Sequence, residues 1–192
     1  VMLFVTNFRA FAVEATALPM LTRTAWGASP ALPGMKPHQP YSIIVHHTGA
    51  KQNTRLGLTE KLRGLQNFSQ SSRKMADGRT LPSWPDLPYH YYISVDGTVG
   101  EGRHVNFAGD TNTKYDTTGP GQDVLEGNFD VEQPTAAQVA ALKKVLLWQA
   151  ARWRVPISKI SMHRDHAQTL CPGKNLIAIL PQVLAELQQP SR

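Results

Sequence analysis

The chain has one cysteine, Cys171, among its 192 residues, so it cannot form an internal disulfide. A lone cysteine is a buried apolar filler, a reactive thiol or a metal ligand. The sequence also lacks an apolar run long enough to span a bilayer. It has no dense stripe of Lys and Arg with interleaved aromatic residues, which makes nucleic acid the less favoured anionic partner.

The composition that is present predicts a folded domain. Hydrophobic residues make up 41% of the chain and charged residues 18%, which is typical of globular proteins and not of disordered ones. The length fits a single domain with a proper core. The formal net charge is +6 and the pI is about 9.6, so the surface favours anionic partners.

The pattern of apolar residues predicts an α/β fold, with a central mixed β-sheet covered by helices. The strand candidates are residues 41–45, 89–95, 98–101, 124–126 and, as a strand or loop, 157–162. Helical spacing is found at 58–68, from Thr135 onward and at 176–187. Thr135 and Gln138 form a capping-box pattern, and Val139, Leu142, Leu146 and Trp153 supply a core-facing stripe.

Three segments have less regular patterns. Residues 69–88 contain Gly and several Pro and predict a long loop, of the kind that binds ligands or forms a lid. Residues 118–123 are polar and Gly-rich, so the strand containing Val124 is expected to begin late or to bulge. Pro181 is expected either to kink the last helix or to start a second helical piece.

Histidine and cysteine provide the candidate metal ligands. His46 and His47 end a predicted buried strand, while His163, His166 and Cys171 lie in one later segment. A catalytic zinc site uses three protein ligands, drawn from neutral imidazoles, thiolates and carboxylates, and keeps one position for water. An isolated histidine is more often a surface or core residue, and His166 competes with His163 on spacing alone.

Several segments together resemble the type 2 N-acetylmuramoyl-L-alanine amidases, a family that includes phage amidases and animal peptidoglycan recognition proteins. Each segment is weak alone, but six in the same order are specific, and together they run from about residue 22 to about residue 187. The six segments are Ala25-Trp26-Gly27-Ala28, the run from Ile43 to Thr48, the run from Trp84 to Tyr91, Asp96-Gly97 with Glu101-Gly102-Arg103, Leu125 to Phe129 with Pro134, Thr135 and Gln138, and His163-Arg164-Asp165 through Cys171-Pro172-Gly173.

The resemblance implies roles for individual residues. It assigns His46, His163 and Cys171 as ligands of one Zn²⁺ per chain, with His166 at the surface or in an outer shell. Tyr89 matches the family's catalytic tyrosine, and Thr169 matches a position near the oxyanion. Glu126 is the reserve candidate for a general base. His47, His90 and Asn106 are assigned to substrate binding.

The resemblance also implies a function. Metal-activated water would hydrolyse the amide bond between N-acetylmuramic acid and L-alanine of peptidoglycan, and a non-catalytic peptidoglycan-binding module of the same fold is the alternative. Residues 22–192 are expected to form the amidase domain. Residues 1–21 are expected to be an extension, either packed or a remnant of a signal peptide or propeptide. The expected protein is a monomer without a nucleic-acid partner or a membrane span. It would be secreted, periplasmic or attached to the cell wall, with delivery by a phage or as an effector as further routes.

Overall fold

The computed structural model describes residues 17–74, 78 and 80–189. The strands are β1 (Ser42–His47), β2 (Arg73–Lys74), β3 (Thr80–Leu81), β4 (Tyr91–Ile93), β5 (Val99–Glu101), β6 (Pro120–Leu125) and β7 (Ile160–Met162). The helices are α1 (Arg23–Trp26), α2 (Leu58–Gln70), α3 (Ala136–Trp153) and α4 (Lys174–Leu187), with 3-10 turns at Ile157–Lys159 and His163–Asp165.

A five-stranded mixed sheet in the order β5-β4-β6-β1-β7 forms the centre of the fold. β1 pairs in parallel with both β6 and β7, and β4 pairs in parallel with β6. Only the β4–β5 hairpin is antiparallel within this sheet. The predicted α/β class with a mixed central sheet is therefore confirmed.

Helices cover both faces of the sheet, so alternate residues of each strand lie in different layers. One face packs against α3 and α4, through residues such as Val45, Leu146 and Leu176. The other packs against α1 and α2, through Trp26 and Leu62. Central parallel strands are buried on both faces, which explains the continuous apolar run in β1.

Helix α3 begins as the capping box predicts. Gln138 N donates to Thr135 Oγ1 at 3.0 Å, and Thr135 N donates to Gln138 Oε1 at 3.1 Å. Both reciprocal bonds satisfy backbone donors that the first helical turn would leave free. Leu142 and Leu146 are fully buried, and Val139 and Trp153 pack against the same core.

The start of β6 differs from the prediction. The strand does not begin late or bulge, because it pairs with β1 residue by residue from Pro120 to Leu125. Pro120 is tolerated because it is the first residue of the strand. The polar residues that suggested an interruption, Gln122 and Asp123, are buried and have side-chain partners on opposite faces of the sheet.

Other element bounds shift by a few residues. Helix α2 continues to Gln70, and in the predicted loop the described residues include the small β2–β3 hairpin. Strand β4 is shorter than predicted, at Tyr91–Ile93. Helix α4 runs continuously through Pro181. None of the helices in the described part of the chain has the length and apolar character to cross a membrane.

Of the predicted extension, residues 1–16 lie outside the described residues. The remainder packs on the domain. Leu21 N donates to Val99 O at 2.8 Å, and Glu101 N donates to Leu21 O at 2.9 Å. Leu18 and Met20 pack against the core on the α3 side. This segment therefore continues the sheet beside β5.

Candidate metal centre

The three predicted ligands converge at one edge of the sheet. His46 lies near the end of β1, and His163 follows the neighbouring parallel strand β7 directly. Carboxyl ends of parallel strands meet at the same sheet edge, so the two imidazoles are brought together. The loop after β7 returns Cys171 to this edge, and Arg164 N donates to Cys171 O at 3.1 Å across its base.

The geometry of this triad suits a single metal ion. One potential ligand atom from each of His46, His163 and Cys171 lies within 4.8 Å of the others. His46 Nδ1 is 3.7 Å from Cys171 Sγ, and the two imidazole centroids are 4.7 Å apart. Within the described residues no second group of this kind is found.

Burial sets the protonation of the triad. It lowers the pKa of His46 to about 3, and the neighbouring His163 adds to the shift. Burial also lowers the pKa of His163 to about 4, and it raises the pKa of the Cys171 thiol to about 12. Both imidazoles are therefore neutral and have a lone pair to offer at neutral pH. A bound cation favours the thiolate and displaces the thiol proton.

The loop that carries Cys171 needs a glycine where it meets α4. Gly173 has a φ of 89°, in the left-handed region that glycine adopts without steric cost. A Cβ at this position would lie 2.5 Å from the carbonyl carbon of Phe129 and 2.9 Å from His47 Nδ1. The close approach fixes the loop against the end of β1.

Tyr89 and Thr169 both lie beside the triad. The ring of Tyr89 is 5.3 Å from that of His46, centroid to centroid. Burial raises the pKa of Tyr89 well above its usual value, and Cys171 adds to the shift, so the phenol keeps its proton. Thr169 Oγ1 accepts from Cys171 N at 3.2 Å, which makes it a cap within the ligand loop.

His47 lies beside the triad but faces the other side of the sheet. Its N–H donates to Cys171 Sγ at 3.4 Å, and its ring Nδ1 accepts from Phe129 N at 3.3 Å. Alternation along β1 accounts for this, because successive side chains point to opposite faces. The backbone of His47 thus supports the thiol, while its ring packs near Phe129.

The structure does not bring His90 and Asn106 to the triad. His90 is fully buried, its Nε2 contacts Phe107 O at 2.8 Å and its Nδ1 accepts from Gln122 N at 2.8 Å. Both ring nitrogens are therefore used by the backbone, which leaves none for a substrate. Asn106 is exposed in the loop after β5, where its carbonyl oxygen accepts from His38 N.

Glu126 and His166 also have partners outside the triad. The Glu126 carboxylate forms a buried ion pair with Lys61 at 2.8 Å and accepts from Asn53 N at 2.9 Å. It links α2 to the end of β6 and has no hydrogen bond to a triad residue. His166 is exposed and contacts Ser161 Oγ at 2.7 Å through Nε2.

Two residues that the sequence did not single out are within hydrogen-bond distance of the triad histidines. Gln122 Oε1 is 2.5 Å from His46 Nε2, and Thr113 Oγ1 is 2.7 Å from His163 Nε2. For Gln122, the available signal was its position two residues before Val124, which places both side chains on the same face of a strand. Thr113 lies in a polar loop, where nothing in the sequence distinguishes it from its neighbours.

The fold and the triad together define a class of protein. A mutant of Drosophila PGRP-LB, solved in complex with tracheal cytotoxin, is similar to this chain with a TM-score of 0.68 and 25% sequence identity. The similarity covers 84% of this chain and 92% of that one. The chain is thus an α/β protein of the amidase and peptidoglycan-recognition fold, with a His-His-Cys cluster at the sheet edge.

Sequence comparison identifies the family. A family model described as N-acetylmuramoyl-L-alanine amidase matches residues 36–174. Peptidoglycan-recognition protein SD of Drosophila simulans is 30% identical over 190 residues, covering 94% of this chain and 93% of that protein. N-acetylmuramoyl-L-alanine amidase of Sus scrofa is 29% identical over 165 residues, covering 82% of this chain and 26% of that protein. The chain belongs to the N-acetylmuramoyl-L-alanine amidase family.

Proposed function

We propose that the chain is a zinc amidase that hydrolyses the bond between N-acetylmuramic acid and L-alanine of peptidoglycan. The observation that carries the proposal is the convergence of His46, His163 and Cys171 within 4.8 Å. Two neutral imidazoles and one thiol are the donor types that zinc prefers, and a set of three protein ligands is typical of catalytic sites. Structural zinc sites usually have four protein ligands.

The chain's own residues would divide the work as follows. His46, His163 and Cys171 hold the ion, which when bound lowers the pKa of a water molecule and polarises a carbonyl. Tyr89 keeps its phenolic proton and directs it towards the carbonyl oxygen of the scissile amide, where negative charge develops. Thr169 holds the ligand loop through the backbone N–H of Cys171. The reaction adds water across the C–N bond and releases the peptide with a free amino group.

The alternative function is recognition of peptidoglycan without cleavage. The similarity to proteins named as peptidoglycan-recognition proteins supports it. A binding module has no need of a complete ligand set, whereas this chain retains two imidazoles and the thiol of Cys171 in contact distance. Either function requires access to cell-wall material, so we propose that the protein acts in a secreted, periplasmic or wall-associated location, as a monomer.

Replacement of a ligand tests the catalytic proposal. We expect Cys171→Ser to lose most bound zinc and to lower activity at least about a hundredfold, since a hydroxyl is a far poorer ligand than a thiolate. The measurements are zinc content and release of amino-terminated stem peptide from purified peptidoglycan. His163→Ala should behave in the same way.

His166→Ala is the matched control, because it removes an imidazole from the same segment without touching the triad. It should retain zinc and activity. Full activity of Cys171→Ser would refute the assignment. A wild-type protein that binds peptidoglycan and zinc but releases no peptide would support the recognition alternative instead.

A further inference from the structure

A glutamine side chain contacts one nitrogen of the first ligand histidine. Gln122 lies in β6 and is 1% exposed, and its Oε1 is 2.5 Å from His46 Nε2. The hydroxyl of Tyr115 donates to the same oxygen at 3.0 Å. The amide oxygen of Gln122 is therefore placed between two donors, one of which is the imidazole.

The end of the Gln122 amide that faces the ring decides where His46 carries its proton. A neutral imidazole has one N–H and one lone pair, and only the lone pair binds a metal. If Nε2–H donates to Gln122 Oε1, the lone pair is on Nδ1, which faces Cys171 Sγ at 3.7 Å. The imidazole is then ready to bind an ion between Nδ1 and the sulfur.

The opposite orientation of the amide would have the opposite effect. With Gln122 Nε2 facing the ring, the amide would donate to His46 Nε2, and the proton would move to Nδ1, which blocks that ligand atom. Among the described residues, Gln122 Nε2 has no hydrogen-bond partner, so the surroundings beyond His46 and Tyr115 do not fix the orientation. Each orientation of the Gln122 amide therefore goes with one tautomer of His46.

The second imidazole has an arrangement of the same kind. His163 Nε2 is 2.7 Å from Thr113 Oγ1, and Thr113 Oγ1 is 2.8 Å from Thr111 Oγ1. A hydroxyl can accept from the imidazole while donating to the next hydroxyl. Both ligand histidines therefore have their Nε2 atoms in contact with side chains, one from β6 itself and one from the loop that precedes it.

We propose that Gln122 is a positioning residue that holds His46 in the Nε2–H tautomer and so directs the Nδ1 lone pair to the metal position beside Cys171. The proposal rests on the zinc site of the proposed function. It concerns the metal-free protein as well, because the tautomer is set before an ion binds. Outer partners of this type commonly change metal affinity by about 10- to 100-fold when they are removed.

The first test is the protonation of His46 in the zinc-free, full-length wild-type protein. Nitrogen-15 NMR at pH 7.5 distinguishes a protonated ring nitrogen from one with a lone pair. His46 is assigned by comparison with a His46→Ala protein. We expect the proton on Nε2. A proton on Nδ1 would overturn the proposal without any substitution at Gln122.

The second test compares zinc dissociation constants measured by competition with a chromophoric chelator. Gln122→Leu keeps the bulk but removes the acceptor, so we expect the dissociation constant to rise by about 10- to 100-fold and the two tautomers to mix. Gln122→Glu, in its ionised form, offers only acceptor oxygens and should preserve the Nε2–H tautomer and zinc binding. Gln149→Leu is the matched control, because it removes a buried glutamine from the opposite face of the sheet.

The outcomes separate this proposal from the proposed function. Unchanged zinc affinity and an unchanged tautomer in a folded Gln122→Leu protein would overturn the positioning role. So would an equal loss of affinity in Gln149→Leu, since it would indicate a general effect of buried amides. If wild type binds zinc with the expected tautomer but releases no peptide, the proposed function fails while the role of Gln122 holds.

Discussion

At the scale of single residues, Tyr89 is the side chain to which the proposed mechanism gives the role of proton donor. Its ring lies beside His46, and burial keeps its phenol protonated through the neutral range. A neutral phenol in a partly buried site is a donor that needs no rearrangement when charge develops on an oxygen.

We predict that Tyr89→Phe lowers turnover by about a hundredfold while zinc affinity stays at the wild-type value, because one donor to the developing oxyanion is lost. The measurements are the rate of stem-peptide release and the zinc dissociation constant. Tyr91→Phe is the control, since that ring packs against Trp148 on the α3 side of the sheet. Equal turnover in Tyr89→Phe and wild type would remove Tyr89 from the mechanism.

The sequence was sufficient to predict the triad but not its supporting residues. Ordered motifs identified His46, His163 and Cys171, and the structure brings their ligand atoms together. Gln122 was overlooked because its polar segment was predicted to lie before the strand containing Val124, whereas it pairs with β1 inside that strand. His90 was assigned to substrate binding because it lies in one of the matching motifs. A motif gives the order of residues along the chain, but it does not show that both ring nitrogens of His90 contact the backbone.

At the scale of elements, the sequence predicted those helices and strands that depend on residues close together in the chain. Helix α3 follows from its capping box and apolar spacing, both of which are local. The length of β6 does not, because its polar residues are accommodated by partners in other elements and in the preceding loop. Gln122 faces His46 and Tyr115 on one side of β6, while Asp123 faces Gln149 of α3 on the other.

The pair of Asp123 and Gln149 is buried in the α3 layer. Gln149 Nε2 donates to Asp123 Oδ1 at 2.8 Å. The other two oxygens, Asp123 Oδ2 and Gln149 Oε1, have no partner within the described part of the chain when the acid is ionised. Protonation of Asp123 removes the buried negative charge from this pair. Burial raises the pKa of Asp123 to about 7, although the hydrogen bond from Gln149 opposes the shift.

The raised pKa of Asp123 makes the folded protein less stable at high pH. The unfolded acid ionises near its ordinary pKa of 3.8, whereas the folded acid retains its proton up to about 7. Stability from this group is therefore complete below pH 3.8 and is lost as the pH rises through 7. A shift of this size corresponds to a few kcal/mol, at about 1.4 kcal/mol per unit.

We predict that Asp123→Asn makes the protein more stable than wild type at pH 8.5, by on the order of a few kcal/mol, and changes little at pH 4. The asparagine amide can accept from Gln149 Nε2 as Asp123 does, and it carries no charge. Urea unfolding at the two pH values measures the unfolding free energy of both proteins. The other titrating groups are the same in both, so their contributions cancel in the difference. A difference that is independent of pH would show that Asp123 does not titrate in this range.

At the scale of the whole molecule, charge is the property that composition alone determines. A net charge of +6 and a pI of about 9.6 give the folded chain a positive field in neutral solution. Peptidoglycan and the polymers attached to it carry carboxylate and phosphate groups. A positive field raises the local concentration of such anions and speeds the encounter with them, without selecting one chemical group over another.

The final prediction follows from the range of that field. The screening length falls from about 10 Å at 0.1 M salt to about 3 Å at 1 M, so attraction between the surface and anionic wall material should weaken across this range. We expect the fraction that sediments with insoluble wall to fall severalfold. The Cys171→Ser protein is the one to use, because it should leave the wall intact during the measurement. Wall stripped of anionic polymers should bind less protein at low salt and show a smaller salt effect. Equal sedimentation at both salt concentrations would show that binding depends on short-range contacts and that the net charge contributes nothing to it.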